Sequence, residues 1–225
     1  MVHALTDPQV RSPLAHREQI SAGHPLTLRE LPTRAMVCLR GSADQLTAPV
    51  REVTGLELPR QVRGTVTDGA GKMIVWLSPD EWMLIGAPGS EAAMVTTLNE
   101  ACGAMHAQVV DVTDYYTTIE VDGSKARLAL AKLTAIDLHP REFAVGDAVS
   151  TTFAKASATL VLAHRAAEAD AVGNRIDTFH LIVRASLADY LWCMIADAGR
   201  EWGMPAQDPV GQVRLHLPHF FDDAA

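Results

Sequence analysis

The usual catalytic signatures are missing from this chain of 225 residues. No G-x-S-x-G, C-x-x-C, H-E-x-x-H or G-x-G-x-x-G occurs. That leaves no nucleophile elbow, redox dithiol, zinc-protease helix or dinucleotide fingerprint. Positive charge is sparse too. Lys and Arg number 19 against 27 Asp and Glu, the net charge is −8, and no basic cluster exceeds two residues. Nucleic acids and anionic membranes need concentrated positive charge, so neither is expected as a partner. No apolar run approaches the ~20 residues of a membrane helix, and the N-terminus lacks the layout of a signal peptide. Cysteines are few: Cys38, Cys102 and Cys193 stand far apart among apolar neighbours. They read as reduced thiols of a cytoplasmic protein, not as a disulfide frame. Charged residues make up only 20% of the chain and hydrophobic residues 48%. A charge fraction below the roughly 25% of ordinary soluble domains leaves surface for a partner to cover.

What is there is a repeat. Cys38-Leu39-Arg40-Gly41-Ser42 leads into a helical stretch that closes with Val53-Thr54-Gly55-Leu56-Glu57-Leu58. Glu120-Val121-Asp122-Gly123-Ser124 leads into another that closes with Leu133-Thr134-Ala135-Ile136-Asp137-Leu138. Each copy spells strand, Gly-Ser turn, capped helix and apolar exit, which points to one α+β unit used twice.

Local patterns extend the repeat. Residues 1–26, with Pro8, Pro13 and Pro25, read as an arm on the surface or on a partner. Strands are expected at Ala35–Arg40, Gly64–Thr67, Lys72–Leu77, Glu81–Ile85 and Ala107–Val112, with Asp68-Gly69-Ala70-Gly71 as a hairpin turn. Helices follow Ser42 and Ser90, and Gln45 gives Ser42 a capping-box spacing. In the second half, strands are expected at Thr117–Asp122, Ala148–Phe153, Ala158–Ala163 and Thr178–Ala185. A helix is expected at Ser124–Thr134, a polar loop at Glu168–Arg175, and a long helix at Leu187–Trp202 behind a Ser186/Asp189 capping box. Both halves run β-α-β-β-β-α, close to a ferredoxin-like split βαβ with an added strand. The expected fold is α+β: two duplicated two-layer units at 27–112 and 113–204 with antiparallel sheets packed together, then a tail at 205–225.

The last helix is apolar on more than one face, through Leu187, Leu191, Trp192, Met194, Ile195, Ala198 and Trp202. Either it is buried in its own unit or its second face meets another subunit. The apolar tail favours the second alternative, which places Leu191, Trp192, Ile195, Phe220 and Phe221 at a partner interface.

Candidate chemistry is thin. Gly69-Ala70-Gly71-Lys72 lacks the upstream glycine of a phosphate loop, and Met73 stands where Ser or Thr should hold magnesium. His216 and His219 are close, but Pro218 breaks the helix that would align them, and Cys102 with His106 has no second pair to complete a zinc site. Asp111 and Asp114 form the most concentrated acidic spot, consistent with a turn or cap as much as with acid–base work.

One block carries a resemblance. Trp76-Leu77-Ser78-Pro79-Asp80-Glu81-Trp82-Met83-Leu84 resembles the W-x-G/S-P-D-E-W-L-L signature of the gamma subunit of heterotetrameric sarcosine oxidase. Val110-Asp111-Val112-Thr113-Asp114, Leu133 to Leu138, Phe143-Ala144-Val145-Gly146-Asp147, Val183-Arg184-Ala185-Ser186 and Arg11-Ser12-Pro13-Leu14 fit the same pattern. The signature positions are Trp76, Pro79, Asp80, Glu81, Trp82, Asp111 and Asp114. Wider relatives are the folate-dependent aminomethyltransferases.

The resemblance implies partners, the alpha, beta and delta subunits. Together these oxidise sarcosine to glycine with FAD and FMN, pass the one-carbon unit to tetrahydrofolate and reduce oxygen to hydrogen peroxide. It also implies that flavin, NAD, zinc and folate sites belong to other subunits. The aminomethyltransferases carry a catalytic Asp where this chain has Ala156-Ser157-Ala158-Thr159-Leu160-Val161. With no carboxylate there, the chain is expected to be a non-catalytic subunit that supports assembly. The alternative is a stand-alone folate-binding protein of the same superfamily, although the K-G-C-Y-x-G-Q-E motif of the iron–sulfur-maintenance relatives is absent.

Overall fold

The structure, a computed structural model, describes residues 11–20, 25–169 and 175–207. Within them the order is β1 (Thr27–Glu30), β2 (Met36–Gly41), α1 (Ala43–Thr54), β3 (Thr65–Thr67), β4 (Met73–Ser78), β5 (Glu81–Ile85), α2 (Glu91–Cys102) and β6 (Ala107–Asp111). A 3-10 turn at Thr113–Tyr115 leads to β7 (Tyr116–Gly123), α3 (Ala126–Ala131), β8 (Ala148–Phe153), β9 (Ala156–Ala169), β10 (Arg175–Arg184) and α4 (Ala185–Ala198). Two five-stranded sheets result, ordered β3-β4-β5-β2-β6 and β1-β7-β10-β9-β8. Every neighbouring pair in them is antiparallel. The fold is therefore α+β with the duplicated layout expected from the repeat.

Strand alternation decides what each face touches. In β2, Val37 and Leu39 join Trp82, Leu84 and Leu46 in a core beneath α1 and α2, while Met36 points the other way. In β10, Phe179, Leu181 and Val183 pack with Leu191, Trp192 and Ile195 of α4. Ile182 turns to the opposite face and meets Met36, Val75, Met83, Ile85, Ala148 and Val161. That third cluster is where the two sheets stack, so the layers run helices, sheet, sheet, helices. Cross-links strengthen the join. The Ala148 amide donates to the Arg63 carbonyl at 2.8 Å, and the Thr65 hydroxyl donates to the Gly146 carbonyl at 2.5 Å.

Strand β1 belongs with the second sheet although its residues precede the first. Thr27–Glu30 pairs with Ile119–Asp122 of β7, in the slot that β6 fills beside β2. Residues 11–20 of the arm rest on the chain itself. Leu14 and Ile20 are buried in the second core, Ile20 bridges Leu28, and His16 and Arg17 meet Asp189 of α4 at 2.8 and 2.6 Å.

Neither expected capping box forms. Ser42 occupies the N-cap of α1 without a side-chain bond. Helix α4 begins earlier than expected with Arg184 as its N-cap, and Asp189 bonds His16 and Arg17 instead. Helix α3 is six residues long, shorter than its apolar pattern predicts. Its end is pinned where Lys132 donates to the Ala198 carbonyl at 2.6 Å and lies 4.3 Å over the Trp202 ring. Strand β9 outruns its expected six residues because backbone pairing with β10 continues through His164 and Arg165 to Ala169, so that Glu168 and Arg175, expected in a polar loop, belong to the strands.

Candidate functional site

The W-L-S-P-D-E-W block is a β-hairpin. Trp76 and Trp82 face each other across β4 and β5, and Ser78-Pro79-Asp80 makes the turn between them. Trp82 is fully buried in the first core, with its indole N–H donating to the Pro59 carbonyl at 2.8 Å, and Trp76 packs beside that core. Asp80 holds the turn. It accepts from the Ser78 hydroxyl at 2.7 Å and from Arg40 at 3.0 Å, while its carbonyl takes the Gly41 amide at 2.9 Å. Those two side-chain donors, Ser78 first, hold the Asp80 carboxyl below the usual carboxylate range.

Glu81 is different, because alternation turns it away from the core and into a cleft between the sheets. Its Oε1 accepts from the Cys38 thiol at 3.2 Å. Burial, followed by that bond, pushes the thiol up to about 12, so Cys38 stays protonated at neutral pH and is a poor nucleophile. The cleft, about 340 Å³, is lined by Leu77 and Met83 from the first sheet. Tyr116, Ser150, Thr152, Ser157, Thr159, Ile182 and Arg184 line it from the second. The Ser150 and Thr159 hydroxyls bond each other at 2.8 Å, and Arg184 lies 5.3 Å over the Tyr115 ring. Burial raises the Tyr116 phenol above its ordinary value, with Arg184 pulling the other way and Glu81 adding to the rise.

The other end of the sheet stack holds a second cavity, about 310 Å³, lined by Arg34, Thr118 and His180. His180 lies 3.4 Å from Glu120, which is chelated by Arg29 at 2.5 and 3.0 Å. Desolvation pushes His180 below its ordinary value and outweighs the pull of Glu120. A third cavity, about 420 Å³ and mostly apolar, opens under the β3–β4 hairpin between Leu56, Leu84 and Met94.

The remaining expected site residues separate. Asp111 is exposed and accepts the Thr113 amide at 2.9 Å, a turn-forming bond, and Asp114 lies exposed in the 3-10 turn. Leu191, Trp192 and Ile195 do not offer a partner surface. They are 0%, 1% and 0% exposed, because both faces of α4 are used internally, one by the sheet and one by α3 and the arm. Phe220, Phe221, His216 and His219 lie outside the described residues. Cys102 is buried in the first core.

The sequence reading marked none of Tyr116, Ser150, Thr152, Ser157, Thr159 and Arg184 as a site residue, although Ser157, Thr159 and Arg184 lay in stretches it quoted. Ser150/Thr152 and Ser157/Thr159 do repeat with the strand period of two, which signals one polar face on each of two strands. Only the stacking of the other sheet turns that face into a cleft.

Comparisons with known proteins bear on this geometry. The sarcosine oxidase, gamma subunit family matches residues 40–201. The sarcosine oxidase subunit gamma of Corynebacterium sp. strain U-96 is 31% identical over 85% of this chain and 91% of its own length. That of Corynebacterium sp. strain P-1 is 32% identical over 89% and 93%. Among solved structures, a chain of heterotetrameric sarcosine oxidase from Corynebacterium sp. U-96, in complex with pyrrole 2-carboxylate, superposes with a TM-score of 0.72. It is 27% identical, and the match covers 88% of this chain and 98% of that one. The glycine cleavage system aminomethyltransferase T of Bartonella henselae shares the fold, with a TM-score of 0.51 at 14% identity over 75% of this chain and 44% of its own. The duplicated sheets, the P-D-E-W hairpin and these matches agree: the chain belongs to the sarcosine oxidase gamma subunit family.

Proposed function

We propose that this chain is a non-catalytic gamma subunit that supports assembly of a heterotetrameric sarcosine oxidase with alpha, beta and delta partners in the cytoplasm. The observation that carries this reading is the near full-length match, over 98% of its length, to a chain of a heterotetrameric sarcosine oxidase. The signature hairpin adds support. Trp76, Asp80 and Trp82 are taken up by packing and turn formation, which fits a structural role for the hairpin. The stretch Ala156-Ser157-Ala158-Thr159-Leu160-Val161 opens β9 and carries no carboxylate for a proton transfer. In this reading FAD, FMN, NAD and zinc sit on the other subunits. The assembly as a whole would oxidise sarcosine to glycine and pass the one-carbon unit to tetrahydrofolate.

A tagged copy of the chain, recovered from its native cells, tests the proposal. One large, one medium and one small companion with a yellow flavin spectrum are expected. A colourless, partner-free protein overturns the assembly role, and methylene transfer by the purified chain overturns the non-catalytic one.

A further inference from the structure

We propose that the apolar cavity of the first unit binds a medium-chain aliphatic carboxylate, with Arg34 taking the head group and the hydrocarbon lying between α2 and the sheet. The floor asks for hydrocarbon. Buried Leu56, Ile74, Leu84 and Leu98 form it, and Val53 and Met94 are partly buried beside them. On the α2 side the Ser90 and Thr97 hydroxyls are already used, donating to the Ala87 and Ala93 carbonyls at 2.7 and 2.8 Å. A polar ligand body would find few partners there, whereas a hydrocarbon chain gains by taking apolar surface out of water. At about 420 Å³ the cavity lies in the lower part of the roughly 300–1,000 Å³ range of ligand sites, which suits a chain of medium length.

The mouth selects the charge. Three charged side chains border the cavity, Arg34, Asp68 and Lys72. Asp68 is turned onto its own hairpin, where one carboxylate oxygen accepts the Ala70 and Lys72 amides at 2.8 and 2.9 Å. Lys72 reaches the Thr54 carbonyl at 3.4 Å, at the end of α1, where a cation offsets the helix dipole. Arg34 is left as the hook. Its Nε donates to the Gly86 carbonyl at 3.1 Å and its Nη2 to the Gly71 carbonyl, and it has no carboxylate partner among the described residues. Those two bonds fix the guanidinium between the end of β5 and the β3–β4 turn, and Nη1 keeps its N–H groups for an anion. A Cβ on Gly71 would stand 3.0 Å from Nη2, so the glycine leaves the guanidinium its seat. The inference does not rest on the assembly role, which uses neither this cavity nor Arg34.

Calorimetric titration of the chain in its native complex with octanoate, octylammonium and shorter carboxylates tests it. Wild type is compared with Arg34→Gln and with two variants that fill the cavity from exposed positions of α2, Ala93→Phe and Thr97→Tyr. Heat from any other site is then common to all four proteins. Affinity should rise about tenfold for every two carbons from butyrate to octanoate, as methylenes enter an apolar site. Arg34→Gln should weaken octanoate about tenfold, and each filling variant at least as much. Octylammonium should bind wild type about tenfold more weakly than octanoate. A flat chain-length series, or identical octanoate isotherms in wild type and all three variants, would sink the proposal. Octylammonium binding as tightly as octanoate would also overturn it, because Arg34 would then select nothing. Absence of octanoate binding to an intact complex overturns the inference and leaves the assembly reading standing.

Discussion

The first and second sheets fill the same slot with strands from different points of the chain. Beside β2 lies β6, which follows the second helix of its unit, whereas beside β7 lies β1, which precedes everything else. An antiparallel edge asks only for a strand of the right direction and alternation, so the repeat is preserved in space although it is broken in sequence. The cores differ as well. Among the described residues, every buried polar or charged one, namely Thr117, Thr118, Glu120, Thr159 and Asp177, belongs to the second sheet. The first unit's ion pairs therefore lie at its surface, whereas the second combines packing with ion pairs at the buried Asp177. The two should fail differently when single residues are removed.

The largest expected effect is in the first unit. Trp82→Ala removes a fully buried indole and orphans the Pro59 carbonyl, which should cost about 3–5 kcal/mol in denaturant unfolding. The matching blow to the second unit is electrostatic. Asp177, 5% exposed at its side chain, sits between Arg127 at 2.8 Å and Arg165 at 2.9 Å. Asp177→Asn leaves two arginines with one neutral partner, and about 3 kcal/mol is expected because both guanidinium groups keep some access to water. A double variant, Asp177→Asn with Arg165→Met, should recover part of the loss. Recovery in that cycle would locate the cost in uncompensated charge, and its absence would locate it in packing.

The duplicated glycines give a finer comparison. Gly41 and Gly123 close the equivalent strands β2 and β7. A Cβ on Gly123 would stand 2.4 Å from the Pro25 carbonyl, at a φ of 127° that side chains avoid. At Gly41 the nearest atoms are 3.0 Å away, and one of them is a movable Leu46 methyl. Gly123→Ala should therefore cost about 1–3 kcal/mol and Gly41→Ala clearly less, measured as paired unfolding midpoints. Equal losses would show that the arm does not clamp the second unit any harder than β6 clamps the first.

Much of this architecture was legible because it follows local rules. Glu81–Ile85 and Ala148–Phe153 matched their expected bounds since both are short, alternating and flanked by turn residues. The repeat itself announced the duplicated fold. The misses share one cause, which is competition from residues distant in sequence. Ser186 and Asp189 spell a capping box, but Asp189 is held by His16 and Arg17 of the arm. Leu191, Trp192 and Ile195 looked like surplus apolar surface, but the arm and α3 cover the face that seemed spare. The cleft was the least legible. Its walls come from β4, β5, β7, β8, β9 and β10, and although Glu81, Ser157, Thr159 and Arg184 lay in blocks that drew notice in the sequence, nothing local there shows that they meet.

The smallest expected effect separates the two units by acid. His180 belongs to the second sheet, and burial holds its pKa below the ordinary value of 6.5 despite the neighbouring Glu120 carboxylate. The unfolded chain then binds a proton at a higher pH than the native protein does, so stability rises with pH across the interval between the two values. The contribution is complete above the unfolded value and is lost as pH falls below it toward the native one. Thermal midpoints taken from pH 7.5 down to 5 should thus decline, and His180→Asn, which cannot titrate, should flatten the decline. Asp80 of the first unit acts lower on the scale. Its depressed pKa stabilises the fold above its ordinary value of 3.8 and is lost only in more acid solution. If His180→Asn leaves the slope above pH 5 unchanged, the Glu120 carboxylate has offset the burial of the imidazole, and the second unit has no acid sensitivity of its own in that interval.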